Sequence, residues 1–316
     1  MRYSWLSFCF GIFLSLILFA CTPTDISQSA ETAISVSNTT INSQQQPKES
    51  AERIIALTSL SADIIRQLDN SKLVGITGSR LLNKDPNFQD ITHVSEERTS
   101  PNLEKILALK PDLVIGAEGF SNQTTEKLKQ LGINTLLTKV DSWESLEGLT
   151  KNLAQIIGAD SQPLLNRYQS FLGNDTNCQD EKCKTILVLV SRQPILSPNK
   201  SSWAGNLLTK FPVKNIAADL QGKSPIGGYV TLSAEKVLEA NPEILIIVNP
   251  PQGGSQTKIL DDFNKEPFWT QLQAVKNNRV YAFDYYGLVN AGSIDSIEKA
   301  SKQLKEALSF ATVMIK

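Results

Sequence analysis

Eight arginines and a single histidine are the side chains of this sequence that say most about its chemistry. Arg80, Arg98 and Arg192 all fall in loops expected on one face of the fold. A planar guanidinium fork pairs with carboxylate and other oxygen anions better than a lysine does. Such a set can bind an anionic solute, although Arg80 and Arg192 taken singly read equally well as solvated loop residues. His93, the lone histidine, leaves few routes to general-base catalysis. No Gly-x-Ser-x-Gly elbow, phosphate-cradling glycine loop or pair of metal-ligating histidines accompanies it. A bare zinc or manganese ion would need several imidazoles or clustered carboxylates. The chain therefore reads as a binder with no resident cofactor and no directly held metal, and not as an enzyme. His93 itself reads as an ordinary loop residue, with axial contact to a bound metal complex as the sharper alternative.

The elements that would position these arginines are announced by a repeat. Glu104-Lys-Ile-Leu-Ala-Leu-Lys-Pro-Asp-Leu-Val-Ile115 recurs as Glu235-Lys-Val-Leu-Glu-Ala-Asn-Pro-Glu-Ile-Leu-Ile246, shifted by 131 positions. In each copy an acid opens a short helix, a proline ends it, and branched apolar residues follow as a buried strand. The repeat distance is too long for a solenoid and marks duplication of a lobe. Around the copies, strands are expected at 53–57, 73–76, 113–115, 135–137, 185–190, 244–248 and 280–283. Helices fall between them, and a closing helix runs from Ile294 to about Leu308. Strand-helix-strand order demands parallel sheets with right-handed crossovers. The expected fold is α/β, with two lobes, each a mainly parallel sheet flanked by helices, joined by one long helix near Ala159 to Leu172 that would hold the lobes about 20 Å apart. Ligands of such sheets lie beyond the carboxyl ends of the strands. Those positions hold Thr58 and Ser59, Gly78 to Arg80, Glu118 to Phe120, Ser191 and Arg192, Asn249, and Asp284 to Tyr286.

Five segments follow: 1–20, 21–50, 51–158, 159–183 and 184–316. Arg2 followed by the uncharged stretch Leu6 to Ala20 has the pattern of a secretory signal, too short for a comfortable membrane span. Leu18-Phe19-Ala20-Cys21 resembles the lipobox of bacterial lipoproteins, which makes Cys21 the lipidated residue; a plain signal beside a chance cysteine is the alternative. Residues 22–50 are mostly Ser, Thr, Asn and Gln and cannot bury enough surface to fold. As a flexible tether of roughly 30 residues they would span about 30 Å. The first α/β lobe occupies 51–158, the linking helix and a cysteine loop 159–183, and the second lobe 184–316. Cys178 and Cys183 read as a local disulfide of an exported protein, against a redox or metal pair that has no nearby histidine. The formal charge of −1 gives no reason to expect nucleic acid as a partner.

Arg98-Thr-Ser-Pro-Asn-Leu-Glu-Lys-Ile-Leu-Ala-Leu-Lys-Pro-Asp-Leu-Val-Ile115 resembles the signature of the iron-siderophore and cobalamin substrate-binding proteins of bacterial ABC importers. The similarity extends over Arg53-Ile-Ile-Ala-Leu-Thr-Ser59, Leu73-Val-Gly-Ile76, Leu232-Ser-Ala-Glu235, Pro267-Phe-Trp269 and Asn278-Arg-Val-Tyr281. It implies a lipid-anchored protein, expected as a monomer, that carries a metal chelate in its cleft to a permease dimer served by ATPase subunits. It also implies that Glu104 and Glu235 dock on the two permeases, a pseudo-twofold pair meeting a twofold pair. Structurally, both acids also suit the positive start of a helix. The motif is closest to ferric-hydroxamate binders, so a ferric siderophore is the favoured ligand and cobalamin the runner-up. In that family Arg98 would contact metal-bound oxygens and Phe120 would line the pocket. Relatives place an aromatic where this chain has Ile226. Trp203, Tyr229, Tyr285 and Tyr286 could supply aromatic surface instead, with Trp203 and Tyr229 read as loop residues and Tyr285 and Tyr286 reading rather as core or plain surface, because adjacent residues at a strand end point opposite ways. A surface lipoprotein without a small-molecule ligand is the reading from another class.

Overall fold

The computed structural model describes residues 50–97, 99–173, 183–221, 224, 226–251, 255–265 and 267–309. The signal, Cys21, the tether, Arg98 and Cys178 lie outside them.

The first sheet is built from β1 (Ile54–Ala56), β2 (Leu73–Ile76), β3 (Thr92–His93), β4 (Leu113–Ala117) and β5 (Asn134–Thr138). Its order is β3-β2-β1-β4-β5, and every pairing is parallel. After it come β6 (Lys184–Leu189), β7 (Ser191–Arg192), β8 (Ile195–Pro198), β9 (Val213–Asn215), β10 (Tyr229–Leu232), β11 (Ile244–Asn249) and β12 (Val280–Asp284). Four of these make a second parallel sheet in the order β12-β11-β6-β9. The other three form a small antiparallel sheet, β10-β8-β7, which the strand-helix-strand reading did not anticipate. Residues 54–56 and 244–246 are fully buried, as continuous apolar runs must be when a parallel sheet is covered on both faces. Each parallel sheet reverses its winding beside its first strand, between β1 and β4 and between β6 and β11. Such reversals open the crevices in which ligands sit.

The repeat survives in backbone detail. Asn102 and Ser233 cap their helices by accepting from the Lys105 and Lys236 amides, which satisfies donors that have no partner within a helix. Ile106 and Val237 are fully buried. Lys110 and Asn241, each before its proline, both adopt positive φ, 46° and 39°. The acid after each proline then reaches back to the start of the sheet's first strand. Asp112 accepts from the Glu52 and Arg53 amides at 2.7 and 3.0 Å, and Glu243 accepts from the Thr185 amide at 2.8 Å.

The junction differs from a single connecting rod. Helix Trp143–Ile157 is stopped by Gly158 in the left-handed region, φ 74°, where glycine carries no Cβ penalty. A second helix, Gln162–Phe171, then starts with Pro163 in its first turn. The segment expected as a helix over 159–172 is therefore ten residues long, about 15 Å of rod, and shares the junction with the fifteen-residue helix before it. The last helix, Ile294–Ser309, crosses back to the first lobe. Asp63, on helix Ser59–Asp69 and only 2% exposed, accepts from the Ile294 amide at 2.8 Å and from Arg66 at 3.0 Å. Arg167 joins Gln67 to Asp295, at 2.9 and 2.7 Å, and also pairs with Glu298. One hydrophobic core runs through both sheets and these helices, from Ile54 and Leu153 to Ile246 and Leu304. Burying each such aliphatic side chain contributes roughly 1.5–3 kcal/mol. Among the described residues no helix is long and apolar enough to cross a membrane.

Candidate ligand-binding site

Two strand ends of the first lobe build one wall of a cleft. After β2 the chain passes Gly78, where a Cβ would come 2.2 Å from the Ser95 carbonyl oxygen. Only glycine allows that crossing, and the Gly78 amide donates to Ser95 Oγ at 3.1 Å. The crossing brings residues 96–97 beside the segment 78–80. Ser79 caps the short helix Arg80–Asn83, and Arg80 Nε lies 3.6 Å from Glu97 Oε1. Its Nη1 donates at 2.5 Å to the carbonyl of Pro251, just past the end of β11 on the opposite lobe.

The second lobe supplies aromatic surface. Tyr285 and Tyr286, directly after β12, pack edge to face with centroids 5.5 Å apart. With Gly78, Ser79, Arg80, Glu97 and Pro251 they line a cavity of about 440 Å³, within the range of small-molecule sites. Burial holds the Tyr285 phenol above its ordinary pKa, against a lowering hydrogen bond to Asn290. Burial raises the Tyr229 phenol as well, with the neighbouring Tyr285 adding to it. Both are therefore neutral donors at pH 7, and Tyr229 stands next to the cavity-lining Tyr285.

Of the residues singled out from sequence, Arg80, Tyr285 and Tyr286 meet in the cleft, with Tyr229 adjacent; the two neighbouring tyrosines both line it, against the reading of them as core or plain surface. Tyr229 was expected in a loop but opens β10, opposite Pro198. Trp203 is not on loop surface: it is the first residue of helix Trp203–Leu208 and only 4% exposed. It stacks on Trp143 at 6.3 Å and donates its indole N–H to the Gly287 carbonyl at 2.9 Å, so its apolar face is spent on packing. Arg192 sits on β7 opposite Ile195, on the other edge of the small sheet from Tyr229 and offset by three residues along it, about 14 Å away. Phe120 stands on the rim after β4, 94% exposed, in a turn held by the Ser121 and Asn122 side chains, which accept from the Ala117 and Gly119 amides. Neither Arg192 nor Phe120 lines the cavity. His93, expected in a loop, is on the edge strand β3 in register with Ile76. Glu104 and Glu235 are exposed in the first turns of their helices. Cys183 is disulfide-bonded, while its expected partner Cys178 lies outside the described residues. Glu97 and Pro251 were missed; the only signal for either was adjacency, to Arg98 and to the end of a strand. Among the described residues, no three of the His, Cys, Asp and Glu side chains form a metal-holding group.

Two α/β sheets facing across such a cleft define a solute-binding architecture, and the family model described as periplasmic binding protein matches residues 54–286: the chain belongs to that family. It is similar to the iron-uptake system-binding protein of Bacillus subtilis (strain 168), 28% identical over 237 residues, 70% of this chain and 71% of the relative. It is also similar to the high-affinity heme uptake system protein IsdE of Staphylococcus aureus (strain MRSA252), 24% identical over 275 residues, 83% of this chain and 89% of that one. Among solved structures, the periplasmic vitamin B12 binding protein BtuF of Vibrio cholerae shares the fold, with a TM-score of 0.58 and 24% identity over 82% of this chain and 98% of its own.

Proposed function

We propose that the chain is the solute-binding lipoprotein of an ABC importer, capturing a ferric siderophore between its lobes and delivering it to a permease dimer driven by ATPase subunits. The observation that carries this reading is Arg80, tied to Glu97 and Pro251 on the floor of a cavity whose other wall is Tyr285 and Tyr286. A guanidinium suits the anionic oxygen shell of a ferric chelate, and phenol rings suit its flat organic parts. The names of the iron- and heme-uptake relatives support an iron complex. In this reading Arg98, Phe120 and Arg192 complete the ligand's surroundings as the lobes close, Glu104 and Glu235 dock on the permease, Cys21 carries the lipid, and the protein works as a monomer.

Heme is the second reading, favoured by the heme-uptake relative and by adjacent phenols, since tyrosine serves as an iron ligand in some heme proteins. A titration of the full chain distinguishes the two. Ferric hydroxamate, catecholate and citrate complexes, hemin and cobalamin are added in turn while tryptophan fluorescence and the Soret band are followed. Saturable quenching by a ferric chelate at low concentration is the expected result. Saturation by hemin or by cobalamin alone replaces the siderophore, and a panel without any binder favours a surface lipoprotein that carries no small molecule.

A further inference from the structure

Tyr285 and Tyr286 ride on a turn with little intrinsic reason to keep its shape. It starts helically and breaks at once, with Tyr286 at φ −74°, ψ 138° and Gly287 at φ 91°, ψ −43°. Backbone hydrogen bonds close it, Gly287 N–H to the Asn290 carbonyl at 2.7 Å and the Val289 and Asn290 amides to the Tyr285 carbonyl at 2.9 and 3.2 Å, and the Tyr285 side chain adds one with Asn290. Leu288 anchors it in the core, fully buried, and two further contacts set Gly287. A Cβ on Gly287 would come 2.0 Å from the Ser296 carbonyl oxygen, so the turn lies flush on the last helix. On the other side the Gly287 carbonyl accepts the Trp203 indole N–H.

Trp203 is itself immobilised. Its ring stacks on Trp143 with planes 14° apart, and the Trp143 amide donates to Asn206 Oδ1 at 2.7 Å within the helix that Trp203 begins. The segment leading into that helix also carries the third tyrosine. Pro198 pairs with Tyr229, and the Asn199 amide donates to the Gly228 carbonyl at 2.9 Å. The buried indole therefore stands between the inter-lobe helix and the turn that carries Tyr285 and Tyr286, and the segment just before it holds Tyr229 through the backbone.

We infer that Trp203 is the positioning residue of the cleft's tyrosine wall: its indole N–H, anchored by the Trp143 stack, holds the 285–290 turn in the shape that presents Tyr285 and Tyr286 to the ligand. The inference rests on the reading of the cleft as the ligand site. Trp203 is buried and does not line the cavity, so its effect on binding runs through the turn. A buried carbonyl that loses its donor is left unsatisfied, and the turn around Gly287 then samples other shapes.

The test compares W203F with wild type in the full chain, by hydrogen exchange and by titration with the best ligand of the panel above. Phenylalanine keeps a ring in the core and removes the N–H. The expected result is faster amide exchange across 285–290, unchanged exchange in β11, and affinity lower by about fivefold to tenfold, the fold-change that one lost hydrogen bond produces. Wild-type exchange at 285–290 in the folded variant, or altered exchange with unaltered affinity, overturns the inference. Failure of wild type to bind any ligand sinks the cleft reading, and the exchange data still decide whether Trp203 holds the turn. Should W203F not fold, N206A bears on the same claim: it removes the acceptor of the Trp143 amide and so loosens the anchor of the Trp203 helix. Faster exchange across 285–290 with weaker binding is expected, and wild-type exchange there overturns the inference.

Discussion

Arg80 of the first lobe and the Pro251 carbonyl of the second are hydrogen-bonded at 2.5 Å across the cleft. Under the proposed function an anionic solute in the cavity would compete with that carbonyl for the same guanidinium. Arg80→Ala is expected to weaken binding of an anionic chelate at least about tenfold and to raise the radius of gyration of the unliganded protein, read by calorimetry and small-angle scattering. Full affinity in the variant would show that the arginine only ties the lobes. Glu97→Gln should change stability by less than about 1 kcal/mol, as for other partly exposed ion pairs.

Charge reversal of Glu104 and Glu235 together should abolish uptake in cells while the ligand Kd stays as it was. Both side chains are exposed, and their effect on their own helices is only about 0.3–1 kcal/mol each, so the folded protein survives. Lost affinity in the double variant would show that these acids are not docking residues.

Asp63→Asn removes a buried charge that accepts from Arg66, Gln67 and the Ile294 amide. An asparagine offers one acceptor oxygen where the carboxylate offers two, and it leaves the Arg66 guanidinium without its counter-charge. A loss of about 2–4 kcal/mol is expected, measured by urea unfolding. A change within 0.5 kcal/mol, roughly the scale of a surface substitution, would mean that the last helix is held by its apolar face alone.

The matched positions 110 and 241 should part company when replaced by glycine. Lys110 sits at φ 46°, where a Cβ costs about 1–2 kcal/mol against an unfolded-chain entropy cost of roughly 0.5–1 kcal/mol for glycine. Lys110→Gly should therefore raise Tm slightly. Asn241 tolerates this region better, and its side chain accepts from the Gln273 amide at 2.8 Å, so Asn241→Gly should lower it. Calorimetric scans of the two variants decide.

Burial raises the phenol pKa of Tyr168, Tyr229 and Tyr285. In the unfolded chain a phenol ionises near pH 10, while the folded protein keeps these protons to higher pH. The stability that depends on neutral phenols is thus fully present below about pH 10 and is lost as pH rises beyond it. Tyr168→Phe removes the 2.9 Å hydrogen bond with Thr150 and should cost about 1 kcal/mol at pH 7, yet flatten the alkaline fall in the urea midpoint.

The fold was legible because its strands are apolar runs with clear stops. Leu73–Ile76 forms the strand read from sequence without change, and the closing helix from Ile294 ends one residue beyond Leu308. The small sheet of β7, β8 and β10 escaped because two- to four-residue strands leave no periodic signal, and the helix expected over 159–172 is shorter than its apolar pattern because its regular turns begin only at Gln162, with Pro163 in the first of them. The site was half legible. Position after a strand pointed to Arg80 and Tyr285, but burial cannot be seen in a residue type, so Trp203 looked like ligand surface although its indole belongs to the core. Pro251 contributes only a backbone carbonyl, which no side-chain pattern reveals.

Asp63 and the Ile294 amide that it accepts from are 231 residues apart in the chain. The buried carboxylate on helix Ser59–Asp69 is therefore matched only when the helix that begins at Ile294 is in place. A variant without that helix should lose stability in the lobe farthest from it in sequence.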